Sequence, residues 1–327
     1  MTLPNFLLLG TAKAGTTSMF RYLELHPEVF GSIPKEPKFF AYENENIRFQ
    51  GPGDQIKNWL MVTRLEAYQA LFAGVTNQKA IGEATAFYLY VPKAAERIRY
   101  HVPKAKLIAI LRDPADRAYS AYLHLVRDGR EPVHNFAHAL QLEPSRIAQN
   151  YQPAWHYRSV GYYYPQIKRY YDLFPREQMR IFLYEDLKAN PHKVLKEVLQ
   201  FLEVDDSFMP DLGVRHNVGA FPRNWWLEKF MLNLLPLRRK VVPRLPRGMR
   251  WRVIQGLKKL ERWNRIPAPQ LPVDIRAQLV AGYEEDILRL QDLLGRDLSA
   301  WLRVETALRA ELSIPQVEPK GAPRMQK

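Results

Sequence analysis

The chain opens on a short apolar run, Asn5-Phe6-Leu7-Leu8-Leu9, that stops at Gly10. A brief unbroken apolar stretch closed by glycine suits a strand covered on both faces, here 5–9. A helix is predicted at about 15–26. Ile33-Pro34-Lys35-Glu36-Pro37-Lys38-Phe39-Phe40 reads as extended, because two prolines exclude a helix interior. Trp59, Leu60, Tyr68, Leu71 and Phe72 predict a helix over 54–72. A short strand and turn at 80–85 and a helix at 92–101 follow. Residues 105–111 form the second clear buried strand. It ends at Arg112-Asp113-Pro114, where Asp113 is placed to cap a helix that begins with Pro114. A helix at 161–173, a strand at 179–184 and a helix from Asn190-Pro191 to Leu202 continue the alternation. Strands alternating with helices predict an α/β fold, a parallel sheet flanked by helices. Such sheets bind ligands beyond the carboxyl ends of their strands, and Lys13 and Arg112 each lie just past one.

Composition adds a boundary and one anomaly. The 327 residues are 46% hydrophobic and 25% charged, as expected of a globular domain. With no cysteine, disulfides, thiolate metal sites and cysteine nucleophiles are excluded. No apolar run reaches the roughly 18 residues of a membrane span, and the first residues do not read as a signal peptide, so a cytoplasmic location is expected. The eight histidines are scattered, and no metal site is expected. Net charge is +14, but 223–265 alone carries 13 Lys/Arg against Glu228 and Glu261, leaving +3 for all the rest. This basic helical insertion near the C-terminus also holds Trp225, Trp226, Trp251 and Trp263. Cations interleaved with aromatics suit an anionic membrane surface reached through 225–263, which would make the chain peripheral on the inner face. A subdomain packing its aromatics on the core, or an electrostatic funnel for an acidic acceptor, fits the same residues. No nucleic-acid module is visible. One domain over 1–312 is expected, with a disordered tail at 313–327 that holds Pro315, Pro319 and Pro323.

The chemistry begins at Gly10-Thr11-Ala12-Lys13-Ala14-Gly15-Thr16-Thr17-Ser18. A strand, a glycine turn and a helix N-terminus make an anion cradle, with free N–H groups, a favourable dipole and a lysine charge. The loop is P-loop-like but departs from the nucleotide-triphosphate form, G-x-x-x-x-G-K-[ST]. Thr16 stands where that lysine belongs, and the lysine lies inside the loop at Lys13. Arg112 and Ser120, eight residues apart across a helix entry, form a second anion site, suited to a bidentate phosphate contact.

Phe6 to Ser18 resembles the 5′-phosphosulfate loop of sulfotransferases that use 3′-phosphoadenosine 5′-phosphosulfate (PAPS). Leu111-Arg112-Asp113-Pro114-Ala115-Asp116-Arg117-Ala118-Tyr119-Ser120 resembles their 3′-phosphate site. Lys35-Glu36-Pro37-Lys38-Phe39-Phe40 is similar to a segment of the glycosaminoglycan branch in which a glutamate is the catalytic base. Gly161-Tyr162-Tyr163, Leu183-Tyr184-Glu185-Asp186-Leu187 and the stretch from Tyr283 to Leu302 resemble later landmarks, the last of bacterial members. The resemblance spans about residues 5–302. It implies that Lys13 stabilises the leaving phosphate. Ala14, Gly15, Thr16, Thr17 and Ser18 would hold the 5′-phosphate, Arg112 and Ser120 the 3′-phosphate, and Tyr163 would lie near the nucleotide. Arg223 would close over the phosphates. Glu36 would take the acceptor proton, with Glu83 as the other candidate base, and Lys35 would contact the sulfuryl group. Phe87, Tyr88 and Tyr90 are candidates for the acceptor cleft, with core packing as their plainer reading. The donor would be PAPS, the product adenosine 3′,5′-bisphosphate (PAP), and the acceptor a glycan, a lipid or another small molecule. A P-loop kinase or NTPase, and a non-catalytic membrane-surface protein on a relict fold, are the alternatives.

Overall fold

A computed structural model describes residues 2–210, 220–224, 246–304 and four single positions between 227 and 234. Its centre is a five-stranded sheet. β1 (Phe6–Gly10) lies between β3 (Ala80–Ala84) and β4 (Lys106–Leu111), while β2 (Val29–Gly31) and β5 (Met179–Leu183) form the edges. Every pairing is parallel. Phe6 to Leu9 have no exposed surface. Their side chains alternate between two cores, Leu7 and Leu9 with Leu107, Ala109 and Leu111 on one face, Phe6 and Leu8 with Ile108 and Ile110 on the other. An all-apolar strand is what two covered faces require.

Helices fill both layers: α1 (Thr16–Glu24), α2 (Phe39–Tyr42), α3 (Asp54–Trp59), α4 (Leu65–Ala70), α5 (Pro92–His101), α6 (Pro114–Arg127), α7 (Phe136–Gln141), α8 (Glu143–Ala148), α9 (Tyr163–Leu173), α10 (Tyr184–Ala189) and α11 (Pro191–Leu202). A basic helix, Arg247–Trp263, lies along the chain between Ala220–Pro222 and Arg265–Pro267, which pair antiparallel. The C-terminal helix is Val273–Leu294. Asp113 caps α6 as expected, accepting from the Ala115 and Asp116 N–H groups at 2.9 and 3.0 Å.

The helix expected over 54–72 is two short helices. Between them Val62 N–H donates to Pro37 O at 2.9 Å, and Thr63 O accepts from Asn44 N–H at 2.8 Å. These tertiary bonds take backbone groups that a continuous helix would need. The apolar pattern divides accordingly, with Tyr68 and Phe72 buried while Trp59 and Leu60 are 90% and 61% exposed. α3 is instead held by its first residue. The Asp54 carboxylate, wholly buried, accepts from Gly51 N–H at 3.0 Å, Gln152 N–H at 3.1 Å and Trp155 Nε1 at 3.3 Å, and pairs with Arg130 and Gln152 Nε2.

Candidate active site

The loop after β1 turns on two left-handed residues, Lys13 (φ 73°) and Gly15 (φ 88°). A Cβ on Gly15 would come within 2.8 Å of Leu187, so both conformation and space require glycine there. α1 starts at Thr16 with no side-chain cap, which leaves its first N–H groups directed at the loop. Burial first, then Arg127 and Arg112, against Asp128 and Glu36, lower the Lys13 pKa to about 8. The ammonium is still mainly protonated at pH 7.

Beside the loop, the end of β3 supports residues 32–40. Glu36 N–H donates to Ala84 O at 3.0 Å, and Lys38 N–H to Thr85 Oγ1 at 3.3 Å. Thr85 Oγ1 in turn donates to Glu83 at 2.8 Å, and Tyr68 Oη donates to the same carboxyl at 3.2 Å. Glu83 is fully buried, and burial raises its pKa to about 7. Glu36 and Lys38 have φ of 61° and 63°. Left-handed backbone costs a non-glycine residue about 1–2 kcal/mol. Lys13, Glu36 and Lys38 all bear it, and all line one cleft of about 180 Å³ with Thr16, Thr17 and Phe87. Strain concentrated around one cavity is typical of functional sites. Lys35 Nζ joins the two segments, donating to Thr17 Oγ1 at 3.1 Å and Glu36 Oε1 at 3.4 Å. For Glu36, burial raises the pKa but Lys35 and Lys38 outweigh it, and the carboxyl stands below its usual range.

The second anion site touches the loop from behind. Arg112 Nη1 donates to Lys13 O at 3.1 Å, and its guanidinium lies 4.8 Å from the Tyr184 ring. Tyr163 is buried and donates its hydroxyl to Arg112 O at 3.0 Å. Asp286 on the C-terminal helix accepts from Tyr163 N–H at 2.7 Å. Arg276, on the same helix, binds Asp113 at 2.5 Å and Asp116 at 2.7 Å. Ser120 lies half-buried two turns into α6. A larger groove of about 770 Å³ runs along the β5 edge and includes Arg180 and Phe201, but it holds none of the loop or cleft residues.

The family described as Sulfotransferase domain matches residues 3–212. This chain belongs to that family. A crystal structure of a sulfotransferase from Alicyclobacillus acidocaldarius shares 35% identity, covers 93% of this chain and 100% of its own, and superposes with a TM-score of 0.72. A membrane-associated sulfotransferase of Dictyostelium discoideum is 25% identical over 77% of this chain and 67% of its own length. The mouse bifunctional heparan sulfate N-deacetylase/N-sulfotransferase 4 is 32% identical over 62% of this chain. The match covers only 22% of that enzyme.

Within this sulfotransferase domain, Lys13, Thr16, Thr17 and Glu36 share the cleft, and Lys35 bridges two of them. Ala14 is buried beneath the loop, and Ser18 lies half-buried in the first turn of α1. Of the candidate acceptor aromatics only Phe87 lines the cleft. Tyr88 is core, and Tyr90 Oη pairs with His156 Nδ1 at 2.9 Å. Arg223 is exposed with its guanidinium 5.5 Å from the Trp263 ring, and it is not among the cleft residues. Trp225, Trp226, the loop 211–219 and the tail 313–327 lie outside the described residues. Lys38, Lys57, His124 and Arg130 also line the cleft and were not anticipated. Only Lys38 carried a signal, its place in Lys35-Glu36-Pro37-Lys38.

Proposed function

We propose that this chain transfers a sulfuryl group from PAPS to a hydroxyl or amine of an acceptor. The observation that carries the reading is Lys13 on a left-handed loop corner in the same cleft as Glu36, with Lys35 between their segments. The acceptor oxygen or nitrogen attacks sulfur, the bond from sulfur to the bridging oxygen breaks, and PAP leaves with that electron pair. Lys13 offsets the charge that develops on the bridging oxygen. The acceptor proton goes to Glu36, whose neighbouring lysines keep it ionised and ready to accept, though as a weakened base. Thr16, Thr17, Ser18 and the loop N–H groups hold the 5′-phosphate. Arg112 and Ser120 hold the 3′-phosphate that separates this donor from ATP. Transfer of radiolabel from PAPS into a cell extract tests the reaction, and calorimetry with PAP and ATP tests the donor. Tight binding of ATP without PAP binding would return the chain to the kinase reading.

A second reading concerns location. On the basic helix, Met249, Leu260 and Trp263 are 55%, 37% and 55% exposed, and at roughly 100° per residue they share one face. An exposed apolar face amid cations favours peripheral attachment to an anionic membrane, with a lipid or lipid-linked acceptor. The name of the Dictyostelium relative agrees with this. Sedimentation with phosphatidylglycerol vesicles but not phosphatidylcholine vesicles is expected, and equal recovery with both would remove the reading.

A further inference from the structure

The cleft holds more positive charge than the donor uses. Lys13, Lys38, Lys57, Arg117, His124 and Arg130 line it, and Glu36 is the one acid among its lining residues. Most of these groups are already committed. Arg117 donates to Tyr157 O, and Arg130 to Asp54 and Pro52 O. His124 is held neutral, since burial and Lys13 lower its pKa to about 4. Lys13 serves the leaving phosphate, and Glu36 is engaged by Lys35. Two ammonium groups remain. Lys57 is exposed at the cleft wall on α3 and has no ion pair or side-chain hydrogen bond among the described residues. Lys38 is the more telling case. It is only 8% exposed, and its ammonium makes no ion pair or hydrogen bond among the described residues, lying 5.9 Å from the Phe87 ring centre while Glu36, already bonded by Lys35, acts on it only through space.

A buried cation without a direct ion pair is costly, and interiors normally bond such charges. Here the fold goes further and holds Lys38 in left-handed backbone by its N–H bond to Thr85, itself anchored on Glu83. Glu36 and Lys57 are among its charged neighbours. An anion brought in beside Glu36 would meet both free lysines.

Building on the sulfuryl-transfer reading, we propose that Lys38 and Lys57 bind a fixed oxyanion of the acceptor, a carboxylate, sulfate or phosphate next to the group that receives the sulfuryl. Charge then selects the acceptor: molecules carrying such a group are accepted over neutral ones of the same shape.

The test uses the full chain, saturated with PAP, with 13C-labelled lysines and constant ionic strength. Sulfate, phosphate and acetate are titrated as probes, the last distinguishing carboxylate from phosphate-like ligands. Lys38 and Lys57 signals should move together and saturate, with Lys13 unmoved. Lys38→Met should weaken the probe about tenfold, as expected for a lost charge-assisted contact, and Lys38→Arg should restore it. Should Lys38→Met not fold, the wild-type titration and Lys57→Ala carry the same test. Absence of a saturable shift at either lysine overturns the proposal. So does movement of Lys13 with Lys38 while Lys57 stays silent, which would assign Lys38 to the donor's sulfuryl position. Failure of PAP itself to move Lys13 would instead overturn the underlying donor reading, and is visible before any probe is added.

Discussion

The network behind the Lys13 loop and the cleft in front of it are built differently. On the proposed donor side each key group is held by the fold. Arg112 is fixed between Lys13 O and the Tyr184 ring, Tyr163 holds Arg112 O, Asp286 holds Tyr163, and Arg276 grips Asp113 and Asp116. On the proposed acceptor side Lys38 and Lys57 make no direct ion pair among the described residues, and Ile56, Trp59 and Leu60 stand 70%, 90% and 61% exposed beside Lys57 on the chain. A donor half held in this way is preorganised, as electrostatic stabilisation of the proposed transition state requires. The proposed acceptor half leaves its charge for what binds. Substitutions on the first side should therefore act through rate and donor affinity, and on the second through acceptor choice.

The largest effect is expected at Lys13. Lys13→Ala should lower turnover with PAPS about a thousandfold, the scale of losing one group that stabilises developing charge. Its melting temperature should hold, because the side chain does not fill the core. Near-normal turnover would break the comparison at its donor end.

Glu83, the beam under residues 36–38, gives the next effect, and it falls on stability. The buried acid has a pKa of about 7 against an ordinary 4.5. Between those values the unfolded chain releases a proton that the folded protein keeps. The stability of the neutral acid is therefore complete below about pH 4.5 and is lost as pH rises through about 7, on the order of 3 kcal/mol. Glu83→Gln should flatten this decline in denaturant titrations at pH 5 and pH 8. Parallel profiles for variant and wild type would mean that Glu83 holds no such proton.

Glu36→Gln should keep PAP affinity and lose about a hundredfold in rate, since the amide keeps the shape but takes no proton. An active Glu36→Gln beside an inactive, folded Glu83→Gln would transfer the base role to the buried acid. Arg112→Ala should weaken PAP by about 1.5–3 kcal/mol while leaving adenosine 5′-phosphate unchanged, the mark of a contact to the 3′-phosphate. Calorimetry with both nucleotides decides this, and equal losses would remove that role.

What the sequence revealed follows the same divide. Phe6–Leu9 and 105–111 are legible because central parallel strands are apolar throughout, and loop 10–18 is legible because a strand, a lysine and a glycine at fixed spacing have few other uses. The donor motifs are local in sequence. The acceptor wall is assembled from afar: Arg130 and Gln152 reach Asp54 across 76 and 98 positions, and no local pattern announces such contacts. The helix expected over 54–72 failed for the same reason, as Val62 and Thr63 bond to the segment at 37–44. Lys38 stood in plain view, yet only the φ of 63° and its burial distinguish it from an ordinary loop lysine.

Asp54 has one more consequence, for motion. α3 is otherwise mostly exposed, and one buried carboxylate, with five donors converging on it, secures the start of the segment that carries Lys57 and Trp59. Such a segment opens as a unit with a free energy set largely at its anchor, well below that of the sheet. In amide exchange, α3 should trade protons together and early, with the Gly51 and Gln152 N–H groups exchanging at the same free energy because they bond the same carboxylate. Entry of the proposed acceptor would then run on its own clock, and the rim can breathe without disturbing β1 and the loop that carries Lys13.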